Sequence, residues 1–221
     1  MAKGLDMRVL DCDEWQTLGQ LYAFFGNSLL SPMNRMETVG LDPAFWHDLA
    51  GLLGGAIARP AQDCAAWAER AAGDCSRDEL VQRVSVEFTH LFVGPPSPAA
   101  PPWESANGPV ESHVGFGEAT YQMRERLRAV GLAQCGSSNQ FEDHMGIELL
   151  YLSELCRCIA DVQASMCDSA DAQVKELERF VREHPLCWIG RFCDKVAASR
   201  PDVYFVHVRD CVRALFEWQV A

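Results

Sequence analysis

The stretch Ser76–Ser105, SRDELVQRVSVEFTHLFVGPPSPAAPPWES, decides the fold class. Its first half predicts a helix. Ser76 and Glu79 have the spacing of a capping box, in which each satisfies a free amide of the first turn. Leu80, Val81, Val84, Phe88, Leu91 and Phe92 then recur at helical spacing, and Gly94-Pro95 ends the run. Glu87 sits on or beside this apolar stripe. Two readings stand for it: a structural partner for a cation or a loop amide, because an unpaired buried charge is very costly, or a direct ligand contact. The second half holds five prolines within Pro95–Pro102. Repeated fixing of φ predicts an extended, polyproline-like path that serves as a hinge or as a rail. The rail delivers Trp103-Glu104-Ser105, and Trp103 reads equally as a core residue or as a binding residue. None of this looks like a nucleophile elbow, a phosphate loop or a metal cage; it looks like a docking surface.

The rest of the chain repeats the helical period. Trp15, Leu18, Leu21, Tyr22, Phe25 and Leu29 mark a helix over Asp13–Leu30. Asp42-Pro43 opens a second, running to about Ile57. Further helices are expected over Ala61–Ala72, Arg77–Phe92, Glu118–Val130, Ala172–Glu183, Leu186–Ala198 and Asp202–Trp218. A long one, from about Gln140 to Val162, carries the stripe Met145, Leu149, Leu152, Cys156, Ile159, with Asn139 as N-cap. No alternating strand pattern and no internal repeat is visible. The expectation is an all-α chain, a single globular bundle of about 8–11 helices. Within it an N-terminal half (about 13–94) and a C-terminal half (about 118–219) are joined by the segment 95–117.

Composition narrows the function classes. The 221 residues carry a net charge of −12 and are 48% hydrophobic, enough for a real core. An acidic surface repels phosphate backbones, so no nucleic-acid partner is expected; a basic partner is favoured, through steering. The N-terminal MAKGLDMRVLDCDEW has acids where a secretory signal needs a basic region and an apolar run. Leu49–Ala58, the longest stretch without polar or charged side chains, is too short for a membrane span. No membrane insertion is therefore expected, and the expected location is the cytoplasm. The ten cysteines, at 12, 64, 75, 135, 156, 158, 167, 187, 193 and 211, include no C-x-x-C pair. They read as reduced, small core residues in a reducing compartment, with an adventitious metal or redox site as the alternative.

A second polar group is Glu142-Asp143-His144, with Glu148 one turn beyond His144. At the start of a helix these acids complement the dipole. Three readings compete: capping, a polar recognition spot in which Asp143 orients His144, or a metal hydrolase using Asp143, His144 and Glu148. The last lacks ligand spacing, since His47, His90, His113, His184 and His207 are scattered with no H-x-x-x-H pattern. The sequence also has no G-x-S-x-G, G-x-x-x-x-G-K-[ST] or G-x-G-x-x-G. No cofactor, no metal and no catalytic residue is expected.

Five short motifs occur in a fixed order: E-F-x-x-L-F at Glu87–Phe92, G-P at Gly94-Pro95, P-P-W-E-S at Pro101–Ser105, E-D-H-x-G at Glu142–Gly146 and H-P-L-x-W at His184–Trp188. In this order and spacing, over about residues 15–218, the chain resembles the TorD/DmsD/NarJ family of redox-enzyme maturation chaperones. The resemblance implies an all-helical, cytoplasmic, non-enzymatic protein. It would bind the twin-arginine leader, or the catalytic subunit, of a molybdenum-cofactor oxidoreductase of the DMSO/TMAO reductase type, used in anaerobic respiration, and would hold it back until cofactor insertion. It also implies a peptide groove lined by Pro102, Trp103, Glu104, Ser105, Asp143 and His144, with Leu91 and Phe92 adjoining and Glu87, Glu142 and Glu148 in support. After Ser105 the chain departs from the family pattern, with Ala106-Asn107-Gly108-Pro109 where Val and an aromatic are usual. Leader binding matches the charge balance: arginines would meet carboxylates and an apolar helix would lie in a groove. The alternatives are the metal hydrolase and a general helical adaptor.

Overall fold

The computed structural model describes residues 10–108, 116–133, 140–165, 169–200 and 202–221. Nine α-helices are present among them: α1 Cys12–Leu30, α2 Pro43–Leu53, α3 Gly55–Asp74, α4 Arg77–Phe88, α5 Glu118–Ala129, α6 Met145–Ser165, α7 Asp171–Glu183, α8 Pro185–Ser199 and α9 Tyr204–Gln219. No strand occurs among the described residues, only one isolated bridge between Trp103 and His144. The all-α expectation is met. The expected cap at Asn139, together with His113, Cys135, Cys167 and the part of the 95–117 segment from Pro109 to Gly115, lies outside the described residues.

The helix signals act as their chemistry requires. Asp42 caps α2 by accepting from the Ala44 amide, with Pro43 at the first helical position. The Ser76/Glu79 capping box of α4 is formed in both directions. Three boundaries differ from expectation. α2 ends at Leu53 instead of near Ile57, and α3 begins at Gly55 instead of Ala61, because Gly54 turns the chain at φ 55° between them. α4 leaves the α-helical ladder after Phe88 and continues as a wider π-helical turn, Thr89–Val93, that ends at Gly94 with φ 95°. α6 begins at Met145, not near Gln140, so Glu142, Asp143 and His144 lie in the turn that precedes it.

The chain forms two compact units, each assembled from separate segments. One comprises Ser31–Pro101 with Ile189–Ala221; the other comprises the described residues up to Leu30 with Pro102–Trp188. Both units draw on sequence from either side of the proline loop. In the first unit, α3 packs on α2 and α9. Trp46, Trp67, Leu80, Val84, Tyr204, Phe205 and Leu215 are buried there, and the Cys64 and Cys211 thiols lie 3.5 Å apart. In the second unit, α1 lies along α6. The two stripes read from the sequence form its centre: Trp15, Leu18, Tyr22, Phe25 and Leu29 face a core that includes Met145, Leu149, Leu152, Cys156 and Ile159, all buried. Gly26 and Gly146 allow the close approach of these two helices, since a Cβ on Gly26 would lie 2.8 Å from the Gly146 carbonyl oxygen.

The described cysteines are free thiols. Burial raises the Cys64 and Cys156 thiols well above the ordinary range and pushes Cys193 up to about 11, which keeps all three protonated. No helix among the described residues is long and apolar enough to cross a membrane.

Candidate functional site

The second unit brings two of the sequence motifs together. The Glu104 amide donates to the Asp143 carbonyl at 2.9 Å, and the Met145 amide donates to the Pro102 carbonyl at 2.8 Å. This two-bond bridge clamps P-P-W-E-S to E-D-H-x-G. Asp143 then ties three segments together. Its Oδ2 accepts from the Ser105 amide at 2.9 Å, and its Oδ1 accepts from the Thr120 hydroxyl of α5 at 2.9 Å. That hydroxyl in turn accepts from the Gly117 amide at 3.1 Å. Asp143 is fully buried. Burial raises its pKa, while hydrogen bonds from Ser105 and Thr120 oppose the rise.

His144 is buried beside it. Its Nδ1 accepts from the Gly146 amide at 2.9 Å, which assigns the ring proton to Nε2. Burial pushes its pKa down to about 3, so the ring is neutral. Glu104 caps the other side, with Oε2 at 2.9 Å from His184 Nδ1. The His184 ring stacks on Phe180 at 5.0 Å. This contact joins the H-P-L-x-W motif to the same node.

Glu148 is fully buried. Neither of its oxygens reaches a normal hydrogen-bond partner among the described residues. Burial first, and then the carboxylates of Glu104 and Asp143, raise its pKa well above the ordinary range. Its environment therefore favours the protonated form. The sign of its linkage follows. The folded state keeps a proton that the unfolded chain releases, so stability falls as pH rises above the unfolded value near 4.5. Relative to Glu148→Gln, the wild-type chain is expected to lose stability between pH 5 and pH 8, by up to about 1.4 kcal/mol per pH unit. Urea titrations at both pH values check this. A constant difference between the two proteins contradicts it.

This arrangement does not make a metal cage. Among the described residues no group of three or more His, Cys, Asp or Glu side chains could hold a metal ion. Asp143 is used by Ser105 and Thr120, His144 Nδ1 by Gly146, and burial disfavours the ionised form of Glu148. Glu142, the remaining acid of the motif, points elsewhere. It forms a two-pronged pair with Arg124 of α5, at 2.6 and 3.1 Å, which holds its carboxyl below the usual range.

The exposed part of the site is aromatic. Trp103 is half-buried, edge-on to His144 at 6.0 Å and 6.4 Å from Phe141. Phe141 meets Phe116 at 5.4 Å, and Phe116 meets Tyr121 at 5.2 Å. Phe116, Tyr121 and Phe141 are 41%, 50% and 37% exposed, so three neighbouring rings face solvent. The Arg124 guanidinium lies over Tyr121 at 5.7 Å and edges the run. The Trp103 Nε1–H is buried with no hydrogen-bond partner among the described residues.

Pro102, Trp103, Glu104, Ser105, Asp143, His144, Glu142 and Glu148 thus converge within the second unit. Leu91 and Phe92 belong to the first, where both are buried; the Phe92 ring contacts Phe88, Phe192 and Phe205. Glu87 is also in the first unit, 6% exposed, and its Oε2 accepts from the Tyr204 amide at 3.3 Å. Sequence reasoning missed Phe116, Tyr121 and Phe141, because nothing in their spacing separates an exposed ring from a buried one. It also missed Thr120 and Arg124, whose partners lie 23 and 18 positions away.

Residues 56–194 match the model of the nitrate reductase delta subunit family, which is more than half of the chain. The chain belongs to this family. It is 26% identical over 142 residues to the probable Tat proofreading chaperone DmsD of Haemophilus influenzae, covering 64% of this chain and 63% of that protein. It is 25% identical over 153 residues to the chaperone protein TorD of Vibrio cholerae, covering 64% of this chain and 68% of that one. It is 27% identical over 133 residues to the Tat proofreading chaperone DmsD of Salmonella paratyphi A, covering 60% and 58%. The match thus spans a little under two thirds of the length of the first of these relatives.

Proposed function

We propose that this chain is a cytoplasmic maturation chaperone, not an enzyme, that binds the twin-arginine leader, or an adjoining segment, of a molybdenum-cofactor oxidoreductase and holds it until assembly is complete. The observation that carries this reading is the exposed run Phe141–Phe116–Tyr121 beside Trp103, fixed in place by the two motifs that resemble the chaperone family. Similarity to relatives named as Tat proofreading chaperones supports the class.

The surface suits such a peptide. Adjacent exposed rings give an apolar contact at little entropic cost, and aromatic anchors with polar neighbours are the usual form of a binding hot spot. A net charge of −12 steers a basic segment toward the chain. Within this reading Asp143 and His144 position the surface instead of touching the peptide, because both are buried. The exposed acid nearest the rings in sequence is Glu118, three residues before Tyr121, so it is the better candidate to meet an arginine.

Calorimetric titration of the full chain with a twin-arginine leader peptide tests the proposal. Phe141→Ala and Trp103→Ala are each expected to weaken binding by about 1–3 kcal/mol while the helical circular dichroism persists. Binding unchanged in both variants would remove this surface from recognition. A general adaptor would bind the mature catalytic subunit equally well with and without its leader.

A further inference from the structure

The first unit carries a cleft of about 600 Å³ that the reading above leaves unused. Trp67, Arg70, Arg83 and Arg200 line it, together with the acids Asp74, Glu87 and Asp202. Three arginines meeting in one place is unusual in a chain with 31 acidic and 19 basic residues. They come from distant positions, brought together by α3, α4 and the end of α8. Arg70 lies 3.5 Å from Asp202. Arg83 lies over the Trp67 ring at 5.8 Å. Among the described residues, neither Arg83 nor Arg200 has an ion pair or a side-chain hydrogen bond to a protein group. Both guanidinium groups thus line the cleft without a short-range ion pair among the described residues, and Glu87 is the carboxyl they act on through space.

We propose that this cleft is an oxyanion site, in which Arg83 and Arg200 hold a phosphate group above the Glu87 carboxyl. A guanidinium presents paired N–H donors that match a phosphate edge, so two of them suit a ligand of charge near −2. The cleft is larger than an inorganic phosphate ion needs, which leaves room for a phosphorylated molecule. The site is independent of leader binding and of the second unit's residues.

Glu87 makes the site testable in a second way. It is 6% exposed, and among the described residues the Tyr204 amide is the donor to it. Burial pushes its pKa up to about 7, against the lowering effect of that amide and of Arg83 and Arg200, with Asp202 adding to the rise. Arg70, Asp74 and Asp202 are the other charged groups in the same lining, and Asp202 is held by Arg70 at 3.5 Å and faces His207 at 3.6 Å. An anion bound beside Glu87 favours its protonated form, which also supplies a donor to the ligand. Binding therefore takes up a proton, and affinity falls as pH rises from 6 to 8.

The experiment is an NMR titration of the intact chain with sodium phosphate, sodium sulfate and glycerol phosphate at constant ionic strength balanced with chloride. The Arg83 and Arg200 Nε–H signals and the Trp67 indole are read. All three ligands are expected to give saturable shifts. Arg83→Gln combined with Arg200→Gln is expected to lose about tenfold or more in affinity. Both side chains are exposed, so a matched thermal melt is expected to show the variant folded. Sulfate keeps its charge between pH 6 and 8, so its weakening over that range reports Glu87, and Glu87→Gln is expected to flatten it. Tighter binding of glycerol phosphate than of phosphate assigns the site to a phosphorylated molecule; equal binding assigns it to the free ion. Shifts no larger than those caused by chloride, or unchanged affinity in the folded double variant, would overturn the proposal.

Discussion

Gly146→Ala is expected to destabilise the chain by about 3 kcal/mol, the upper end for overpacking a close-packed interior. A Cβ at this position would stand 2.6 Å from Leu30 Cγ, 2.7 Å from the Gly26 carbonyl oxygen and 3.2 Å from His144 Nδ1. Leu30 can rotate, but the Gly26 oxygen is backbone. Relief requires α1 to move away from α6, which opens the core built on Trp15, Tyr22, Phe25 and Leu149. The same movement would shift His144 and with it the Trp103 bridge. Gly51 of α2 is the control, because a Cβ there meets nothing within 4 Å. Gly51→Ala is expected to gain about 0.4–1 kcal/mol from helix propensity and reduced unfolded-state entropy. Urea midpoints separate the two. A Gly146→Ala variant within about 0.5 kcal/mol of wild type would contradict the close approach of α1 and α6.

Asp143→Ala is expected to lose about 3 kcal/mol. The change removes the acceptor for the Ser105 amide and the Thr120 hydroxyl together, and hydrogen bonds to a charged group contribute about 1.5–3 kcal/mol each. Release of a buried carboxylate offsets part of this, since burial raises its pKa. Asp143→Asn is expected to lose about half as much, because it keeps one acceptor oxygen but turns an amide toward a donor. The loss is local to a node that joins the Trp103 loop, α5 and the start of α6. Hydrogen exchange of the Ser105 amide is expected to accelerate more than that of the α1 amides. Equal acceleration throughout would mean that Asp143 is only one contact among many in the core.

The sequence made the helices legible where one face is buried and local signals mark the ends. The α1 stripe from Trp15 to Leu29 and the α6 stripe from Met145 to Ile159 both reappear as buried residues. The Ser76/Glu79 box and the Asp42-Pro43 start are formed by atoms a few positions apart, so local chemistry suffices. The turn Phe141–His144 read as helix because acids and an N-cap signal precede an apolar run. In the structure long-range partners win: Ser105 and Thr120 hold Asp143, and Trp103 pairs with His144, before the helix can begin. Trp103 stands out by the proline run before it and Asp143-His144 by their acids ahead of an apolar stripe, and the motif order then groups them. Their division of labour was not readable. That Asp143 and His144 lie inside while Phe116, Tyr121 and Phe141 lie outside depends on burial, which no spacing rule supplies. The cleft of Arg70, Arg83 and Arg200 was invisible for the same reason, since each arginine alone reads as a solvated surface charge.

The bonds of Glu104 to His184 and of the Ser105 amide to Asp143 brace the underside of the aromatic surface. On the proposed function, preorganisation of this kind would let a few exposed rings bind a peptide without first ordering a loop. The measurement that tests this most directly is hydrogen–deuterium exchange of the intact chain with and without a saturating twin-arginine leader peptide. The account predicts that protection concentrates in Trp103–Ala106, in Glu118–Ala129 around Tyr121 and Arg124, and around Phe141. It predicts none of comparable size at Trp67, Arg83 or Arg200. Protection confined to α3, α4 and α9, with Trp103 and Phe141 unaffected, would contradict it.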